Sequence, residues 1–530
     1  MRPFFFLCYT MIMNFNIYDD RVRKLKNKLD QAMPEEGRRV FRVLRSLERE
    51  ALALGDPALI GFTYLSYANA HYYRDRFEPI RPYLNRAIKY LLRSSENDQL
   101  ARAYNLFAVD AQRIGAFDIA YHYFQMAASF VAENEDSVAY ALIEGNLGDL
   151  MAEMGQFKDA IPHIRKSLKV MNRKKDTFLS RQNSILIQTN LALYRMYAGD
   201  QAGAAKQIDH IAEEIKLIRE TDSRAHLWFL ILRLHAALRI EEFEEDVHAL
   251  THEVITRIVR TGDYVLFSKD IHRLIRALID CGYKREAGSL IRAVEEVDER
   301  EAREESYYAR LLHEQIKIRY YKMTSNKKAL TGCYERRHEI AALQREEMRK
   351  AYCDSVELAQ LVEELRREQE AVQRENEELA QAANTDELTG LPNRYALNGM
   401  MEETYARCRE KNVTFGIGIV DIDQFKFYND TYGHREGDAC LRTVADVLKE
   451  IAEDAGLFVA RYGGDEFVIL YEAMTAEEIG RVEERILNVS TVPVTHGMFN
   501  AIPDEELRLW DFFARADAQM YRRKRAGGFV

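Results

Sequence analysis

The chain has six cysteines in 530 residues, Cys8, Cys281, Cys333, Cys353, Cys408 and Cys440, and no two form a CxxC pair. That scatter suggests neither a disulfide framework nor a zinc site, and it fits a reducing, cytoplasmic setting. A basic surplus is missing too. The net charge of −10 argues against general nucleic-acid binding through a cationic surface. Long apolar runs are absent as well. Phe4 to Met13 is an apolar start, but it falls short of the ~20 residues a bilayer span takes. It also lacks a small-residue cleavage site. An upstream start codon, with Met11 or Met13 as the true beginning, explains this stretch best; docking onto a membrane is the alternative, and no stable insertion is expected. Proline is scarce at nine residues. From about residue 20 to 345 there are few prolines and no strand-like alternation, so that region reads as helical.

What is present points to more than one domain. Hydrophobic residues make up 47% and charged residues 30%, as in folded soluble proteins, and 530 residues exceed one ordinary core. Across the helical region turn positions recur at Asp75, Gly115, Gly155, Gly199, Glu241, Gly282 and Thr324, every 40 to 44 residues. Five residues after each comes a mostly small residue, at Ile80, Ala120, Ala160, Ala204, Asp246, Ala287 and Ala329. An aromatic is frequent two residues after the turn, at Phe77, Phe117, Phe157, Phe243 and Tyr283. The pattern predicts helix–turn–helix units in which the alanine lets two helices approach and the aromatic plugs the gap to the next unit. Asn146-Leu-Gly148 through Gly155-Gln-Phe-Lys-Asp-Ala160 resembles a tetratricopeptide repeat, although the period here is longer than ~34 residues. Ile80 and Asp246 depart from the small-residue position. About seven such units would form a solenoid over 20–336, whose concave face takes an unknown peptide or protein ligand. Tyr64, Tyr67, Tyr72 and Tyr73 are expected to fill the stack.

Residues 337–383 contain neither proline nor glycine and predict one long helical linker. Leu358, Leu365, Val372 and Leu379 recur every seven residues, one stripe of a heptad. The companion stripe, Leu361, Glu368, Glu375 and Ala382, is poor. A parallel two-helix connector between two copies is expected, with a solvated spacer as the alternative.

The remainder, 384–530, alternates helix and strand. Strands are predicted near 413–420, 456–462, 466–471 and 492–499, and helices near 393–410, 424–430, 435–452, 475–487 and 509–525. Arg461-Tyr-Gly-Gly-Asp-Glu-Phe-Val-Ile-Leu470 reads as a tight hairpin with acids at its tip, and the glycines let backbone amides approach a ligand. The apolar run from Val413 to Val420 ends in Asp421, and open α/β sheets place ligand chemistry at such strand ends. Acids from two separate strands can share Mg²⁺.

Five ordered motifs then become specific: Asp386-Glu-Leu-Thr-Gly-Leu-Pro-Asn-Arg394, Asp421-Ile-Asp-Gln-Phe-Lys-Phe-Tyr-Asn-Asp430, Gly433-His-Arg-Glu-Gly-Asp438, Arg461 to Phe467, and Ala516-Asp-Ala-Gln-Met-Tyr521. Together they resemble the GGDEF family, the diguanylate cyclases that make cyclic di-GMP from two GTP. The resemblance implies an α/β domain that acts as a homodimer, meeting through the linker helix and the catalytic domains, with Mg²⁺ as cofactor and Mn²⁺ as a possible substitute. It implies that Asp421, the Ile422 carbonyl and Asp465 hold metal, and that Asp465 is also the base toward the 3′-hydroxyl. Lys426 corresponds to a phosphate-contacting lysine, Asn429 and Asp438 to the guanine-reading pair, and His434 to a substrate-proximal position. Gly463 and Gly464 border the nucleotide, and Lys524 matches a late lysine that reaches phosphates. Glu466 takes a supporting polar role. Asp423 reads as the N-cap of the helix that follows rather than as a metal ligand.

Three departures stand out. Asp454-Ala-Gly-Leu457 replaces the Arg-x-x-Asp of the family's feedback site, so product inhibition there is not expected. Gly527-Gly528-Phe529 replaces a Gly-Arg-Asn, with loss of one phosphate-contacting arginine. The stretch between Leu470 and Val494 is compressed, and Thr495-His-Gly497 stands in for Ser-x-Gly. The resulting expectation is a cytoplasmic diguanylate cyclase with a solenoid sensor. The alternatives are a non-catalytic GTP- or cyclic-di-GMP-binding regulator and a peptide-capturing scaffold.

Overall fold

A computed structural model describes residues 15–33, 38–73, 80–132, 136–173, 178–216, 224–261, 264–301, 306–488 and 492–526. Phe4 to Met13, Asp75, Phe77 and Gly527 to Phe529 lie outside these. The chain divides into two units, 1–366 and 367–530.

The first unit is built from helices alone among the described residues. After Asp20–Ala32 and Arg38–Leu54, helices pack in sequential pairs: Pro57–Tyr73 with Arg81–Leu91, Asn97–Arg113 with Phe117–Phe130, Val138–Glu153 with Phe157–Arg173, and Phe178–Tyr197 with Gln201–Ile215. Arg224–Arg239 with Val247–Thr261 and Tyr264–Asp280 with Lys284–Glu301 continue the series, and Tyr307–Met323 leads into the long helix Lys327–Asn384. The predicted period is visible in the turns. Gly115, Gly155, Gly199 and Gly282 all take φ between 83° and 93°, a conformation that ends one helix and admits the next. Ala120, Ala160, Ala204 and Ala287 are fully buried where paired helices close on each other. The exception at Asp246 is exposed and caps its helix, accepting a 2.8 Å bond from the His248 amide. Phe157 plugs toward the next pair by stacking on Tyr197, at 4.9 Å between ring centres. Tyr283 does not plug; it faces solvent.

Buried polar groups follow the same period. Asn146 donates to Asn105 at 3.0 Å, Asn190 to Asp149 at 3.0 Å, and His272 meets His313 at 3.3 Å. Each link joins residues 41 positions apart, one repeat to the next. These bonds satisfy polar atoms that water cannot reach. Burial pushes the His272 and His313 imidazoles well below their usual range, His313 to about 3, so both are neutral. Units distant in sequence also meet. The Phe117 ring packs edge-on to Tyr308 at 5.5 Å, and Lys269 bonds Glu153.

The long helix is not a solvated spacer over its first half. Ala351 and Leu358 belong to the core of the helical unit, with Met348, Leu361 and Val362 packed against it. Gln344 donates to the Ile114 carbonyl at 3.1 Å, Tyr123 bonds Ser355 at 3.0 Å, and Tyr352 bonds Asp118. Arg81 bridges Asp110 at 2.9 Å and Asp354 at 3.1 Å, while Arg113 reaches Asp110 at 2.8 Å and Glu347 at 3.8 Å. Full burial of one leucine contributes about 2 kcal/mol, whereas a partly exposed ion pair gives at most about 1. The apolar seam therefore supplies the affinity of this packing, and the charged clasp fixes its register.

In the second unit a four-stranded sheet of order β2-β3-β1-β4 forms from β1 Phe415–Ile422, β2 Phe458–Gly463, β3 Glu466–Glu472 and β4 Val494–Ala501. The helices are Arg394–Lys411, Phe425–Tyr432, His434–Ala455, Ala476–Leu487 and Leu509–Ala526. Every strand pairing is antiparallel, so the sheet is not of the open parallel kind from which the strand-end argument for Asp421 was drawn. β1 is buried along its whole length because it is central and covered on both faces. Val420 and Ile422 point into one core with Val444 and Leu448; Ile417 and Ile419 point into the other with Phe512 and Met520. Among the described residues no helix is long and apolar enough to cross a membrane.

Candidate active site

Two strand ends make the site. In the β1–β3 ladder Asp421 lies opposite Glu466, and the Ile422 amide points at the Asp465 carbonyl at 3.4 Å. The two acids are thus brought together, Asp421 on the last rungs of β1 and Asp465 in the turn just before β3 rather than on a strand of its own. Asp465 sits in the β2–β3 turn, where Gly464 takes φ of 56° and Gly463 an almost extended 157°. A side chain at Gly464 would strain that turn.

The turn is held by a residue to which the sequence reading gave no role. Arg461 donates to the Gly464 carbonyl at 2.6 and 3.0 Å and to Asp386 at 3.0 and 3.2 Å. One guanidinium therefore ties the opening motif of the domain to the acidic turn. Burial alone would raise the Asp386 carboxyl, but bonds from Thr389 and Arg461 outweigh it and hold the group below the usual range. The signal was available: both residues stand inside motifs quoted for the resemblance.

Negative charge is concentrated here. Burial raises the Asp421 carboxyl, Lys524 opposes, and Asp465 and Asp423 push it further up. Glu466 is raised by burial and then by Asp421, Asp465 and Asp517. Lys524 bonds Asp421 directly. Crowded carboxylates with a cation drawn onto them fit a hard divalent ion, and carboxylate plus carbonyl oxygens suit Mg²⁺. Among the described residues no group of three or more His, Cys, Asp or Glu side chains could hold a metal. Asp421 and Asp465 with the Ile422 carbonyl would thus need oxygens from a bound phosphate to complete a sphere.

Asp423 does something other than capping. The Phe425–Tyr432 helix starts after Gln424 with no side-chain cap, and the Asp423 carboxylate accepts from Thr495 Oγ1 at 2.7 Å. It ties the end of β1 to β4 through a hydroxyl that serine would supply equally.

Lys426 is exposed on the first turn of that helix. Asn429 follows on its last turn, and its Oδ1 is buried without a hydrogen-bond partner. Such an orphan is expensive unless a ligand donor meets it. His434 is exposed at the start of the next helix and Asp438 is half-buried one turn on. Gly437, between them, is the reason the amide of Asn429 fits: a Cβ there would lie 1.8 Å from Asn429 Oδ1. At the replaced feedback position Asp454 forms an ion pair with Arg485 at 2.9 Å.

Residues 383–528 match the family described as "Diguanylate cyclase, GGDEF domain". The chain is 36% identical over 157 residues to "Diguanylate cyclase DgcZ" of Escherichia coli (strain K12), across 27% of this chain and 51% of that protein. It is 36% identical over 163 residues to "Diguanylate cyclase DgcP" of Pseudomonas aeruginosa, across 28% of this chain and 24% of that protein. The match thus spans half the length of the first relative and a quarter of the second. Among solved structures, the coiled coil and GGDEF domain of DgcB from Caulobacter crescentus in complex with c-di-GMP matches at 29% identity and a TM-score of 0.30, over 32% of this chain and 95% of that one. The carboxyl-terminal domain of this chain belongs to the GGDEF family.

Proposed function

We propose that the chain is a diguanylate cyclase that condenses two GTP into cyclic di-GMP and two pyrophosphates. The observation that carries the reading is Asp421 at the end of β1 with Asp465 in the adjoining β2–β3 turn, in a domain that also leaves Asn429 Oδ1 unsatisfied. In each half-reaction a 3′-oxygen bonds to an α-phosphorus, the bond to pyrophosphate breaks, and the hydroxyl proton passes to Asp465. When bound by Asp421, Asp465 and the Ile422 carbonyl, Mg²⁺ or Mn²⁺ neutralises charge on the triphosphate.

The remaining roles belong to this chain's own groups. Lys426 places a cation near the amino end of a helix, where phosphates are favoured. Asn429 and Asp438 accept from the guanine amino and imino edge, and adenine would leave both unpaired. Lys524 exchanges Asp421 for a phosphate oxygen once metal and nucleotide arrive. One domain holds one GTP, so two copies must face each other, and the helical unit is the regulatory input. The carboxyl-terminal match to proteins named as diguanylate cyclases supports this reading.

The test is the purified chain incubated with GTP and Mg²⁺. Cyclic di-GMP with release of two pyrophosphates per product supports the proposal. Bound nucleotide without turnover would instead mark a regulator, and neither would leave a scaffold.

A further inference from the structure

The heptad stripe of the long helix has two fates in one continuous element. Ala351, Leu358, Leu365, Val372 and Leu379 stand seven residues apart. The first three are 0%, 1% and 4% exposed, whereas Val372 and Leu379 are 56% and 62% exposed. Ala351 and Leu358 face the core of the helical unit. Two copies pairing along this stripe would need those same positions.

We propose that the solenoid is a clasp that holds the connector helix in cis, in competition with its pairing to the connector of a second copy. The clasp is built of charges matched across the seam. Arg81 and Arg113 share the enclosed carboxylate of Asp110 and reach outward to Asp354 and Glu347, acids seven residues apart that flank Ala351 on the connector. Tyr123 and Gln344 add hydrogen bonds on either side. The docked state buries the amino-terminal half of the stripe and leaves two leucine-type positions, too few for a stable two-stranded coil, which needs three to four heptads. Undocking restores a stripe five positions long. Whatever relieves the clasp must satisfy two arginines as Glu347 and Asp354 do, so an acidic amphipathic helix is the class of partner that fits the vacated face. For its effect on rate this inference rests on the cyclase reading; for its effect on assembly it does not.

The experiment uses the full chain carrying Glu347→Arg and Asp354→Arg, which sets like charges against Arg113 and Arg81 and leaves every stripe residue in place. Hydrogen exchange over 340–365 reports docking, sedimentation velocity reports assembly, and cyclic di-GMP formation reports rate. Amide protection over 340–365 is expected to fall at least tenfold, the dimer dissociation constant to fall at least tenfold, and synthesis at limiting protein to rise accordingly. Adding Val372→Asp and Leu379→Asp should abolish the gained dimer while leaving the helical unit folded by circular dichroism. Loss of protection with no change in assembly would overturn the proposal, as would a dimer that survives the two added aspartates. If assembly responds as expected but neither protein forms product, the clasp stands and the cyclase reading fails.

Discussion

Gly437→Ala separates recognition from stability. The substitution adds one methyl group whose carbon would sit 1.8 Å from Asn429 Oδ1 and 2.8 Å from its Cγ. Both atoms belong to the end of a flexible side chain, so the Asn429 amide swings away and the backbone stays. Gly437 lies in the first turn of the His434–Ala455 helix at an ordinary helical φ, since it is not among the positive-φ glycines. There alanine gains about 0.5–1 kcal/mol over glycine, which offsets the cost of moving one amide. Melting temperature should therefore hold or rise. Function should not hold. With Asn429 in its proposed role, displacing this acceptor from guanine loses about 1–3 kcal/mol, or a factor of about 5 to 150 in kcat/KM for GTP. The loss should fall mainly in KM, and preference for GTP over ATP should narrow with it. Asn429→Ala should reproduce the effect, and the double variant should be no worse than Asn429→Ala alone, because the two changes remove one interaction. Steady-state kinetics of all three with GTP and ATP decides the matter. Additive losses, or a drop in melting temperature of the size of the kinetic loss, would refute the reasoning.

Asp421→Asn and Asp465→Asn should each lower dinucleotide synthesis by about a hundredfold or more, with the Mg²⁺ concentration for half-activity rising in a metal titration. Arg461→Lys keeps the charge but cannot span the Gly464 carbonyl and Asp386 together, so kcat should fall about tenfold with the fold retained by circular dichroism. Asp149, enclosed against Tyr194 and Asn190, has its carboxyl raised from 3.8 to about 7, chiefly by burial. The folded state thus holds a proton that the unfolded chain releases near pH 4. This contribution is fully present below that pH and is lost as pH rises toward 7. Melting curves between pH 4 and 8 should show Asp149→Asn gaining on the parent chain as pH increases; a constant difference would contradict the assignment.

Much of the carboxyl-terminal domain was legible because its signals are local. Strand propensity, turn glycines and capping residues repeat within a few positions, and the elements from Arg394 to Ala526 fall close to the predicted spans. Strand direction was not legible. Nothing local distinguishes a parallel from an antiparallel neighbour for β1, since both give an unbroken apolar run when the strand is central. Asp423 was misread for a related reason. An acid immediately before a helix predicted to begin at 424 is the ordinary pattern of a cap, but the helix begins at Phe425 and Thr495, 72 residues away, claims the carboxylate. Gly437 and Arg461 act through partners on other elements, so their roles become visible only with coordinates.

The connector shows the same limit in its sharpest form. A stripe of apolar residues every seven positions states that one face of a helix must be covered, and says nothing of what covers it. The wall of the helical unit and a second copy of the helix satisfy the pattern equally, because both present an apolar surface along its length. The polar residues beside the stripe carry the missing information. Nothing in the sequence reading singled out Glu347 and Asp354, yet they meet Arg113 and Arg81 from helices more than 200 residues earlier in the chain. In a two-copy coil acids at these positions would face their own counterparts, a like-charge meeting that Glu368 and Glu375 repeat on either side of Val372. The charges thus tell against pairing between copies and favour docking in cis where the stripe is buried.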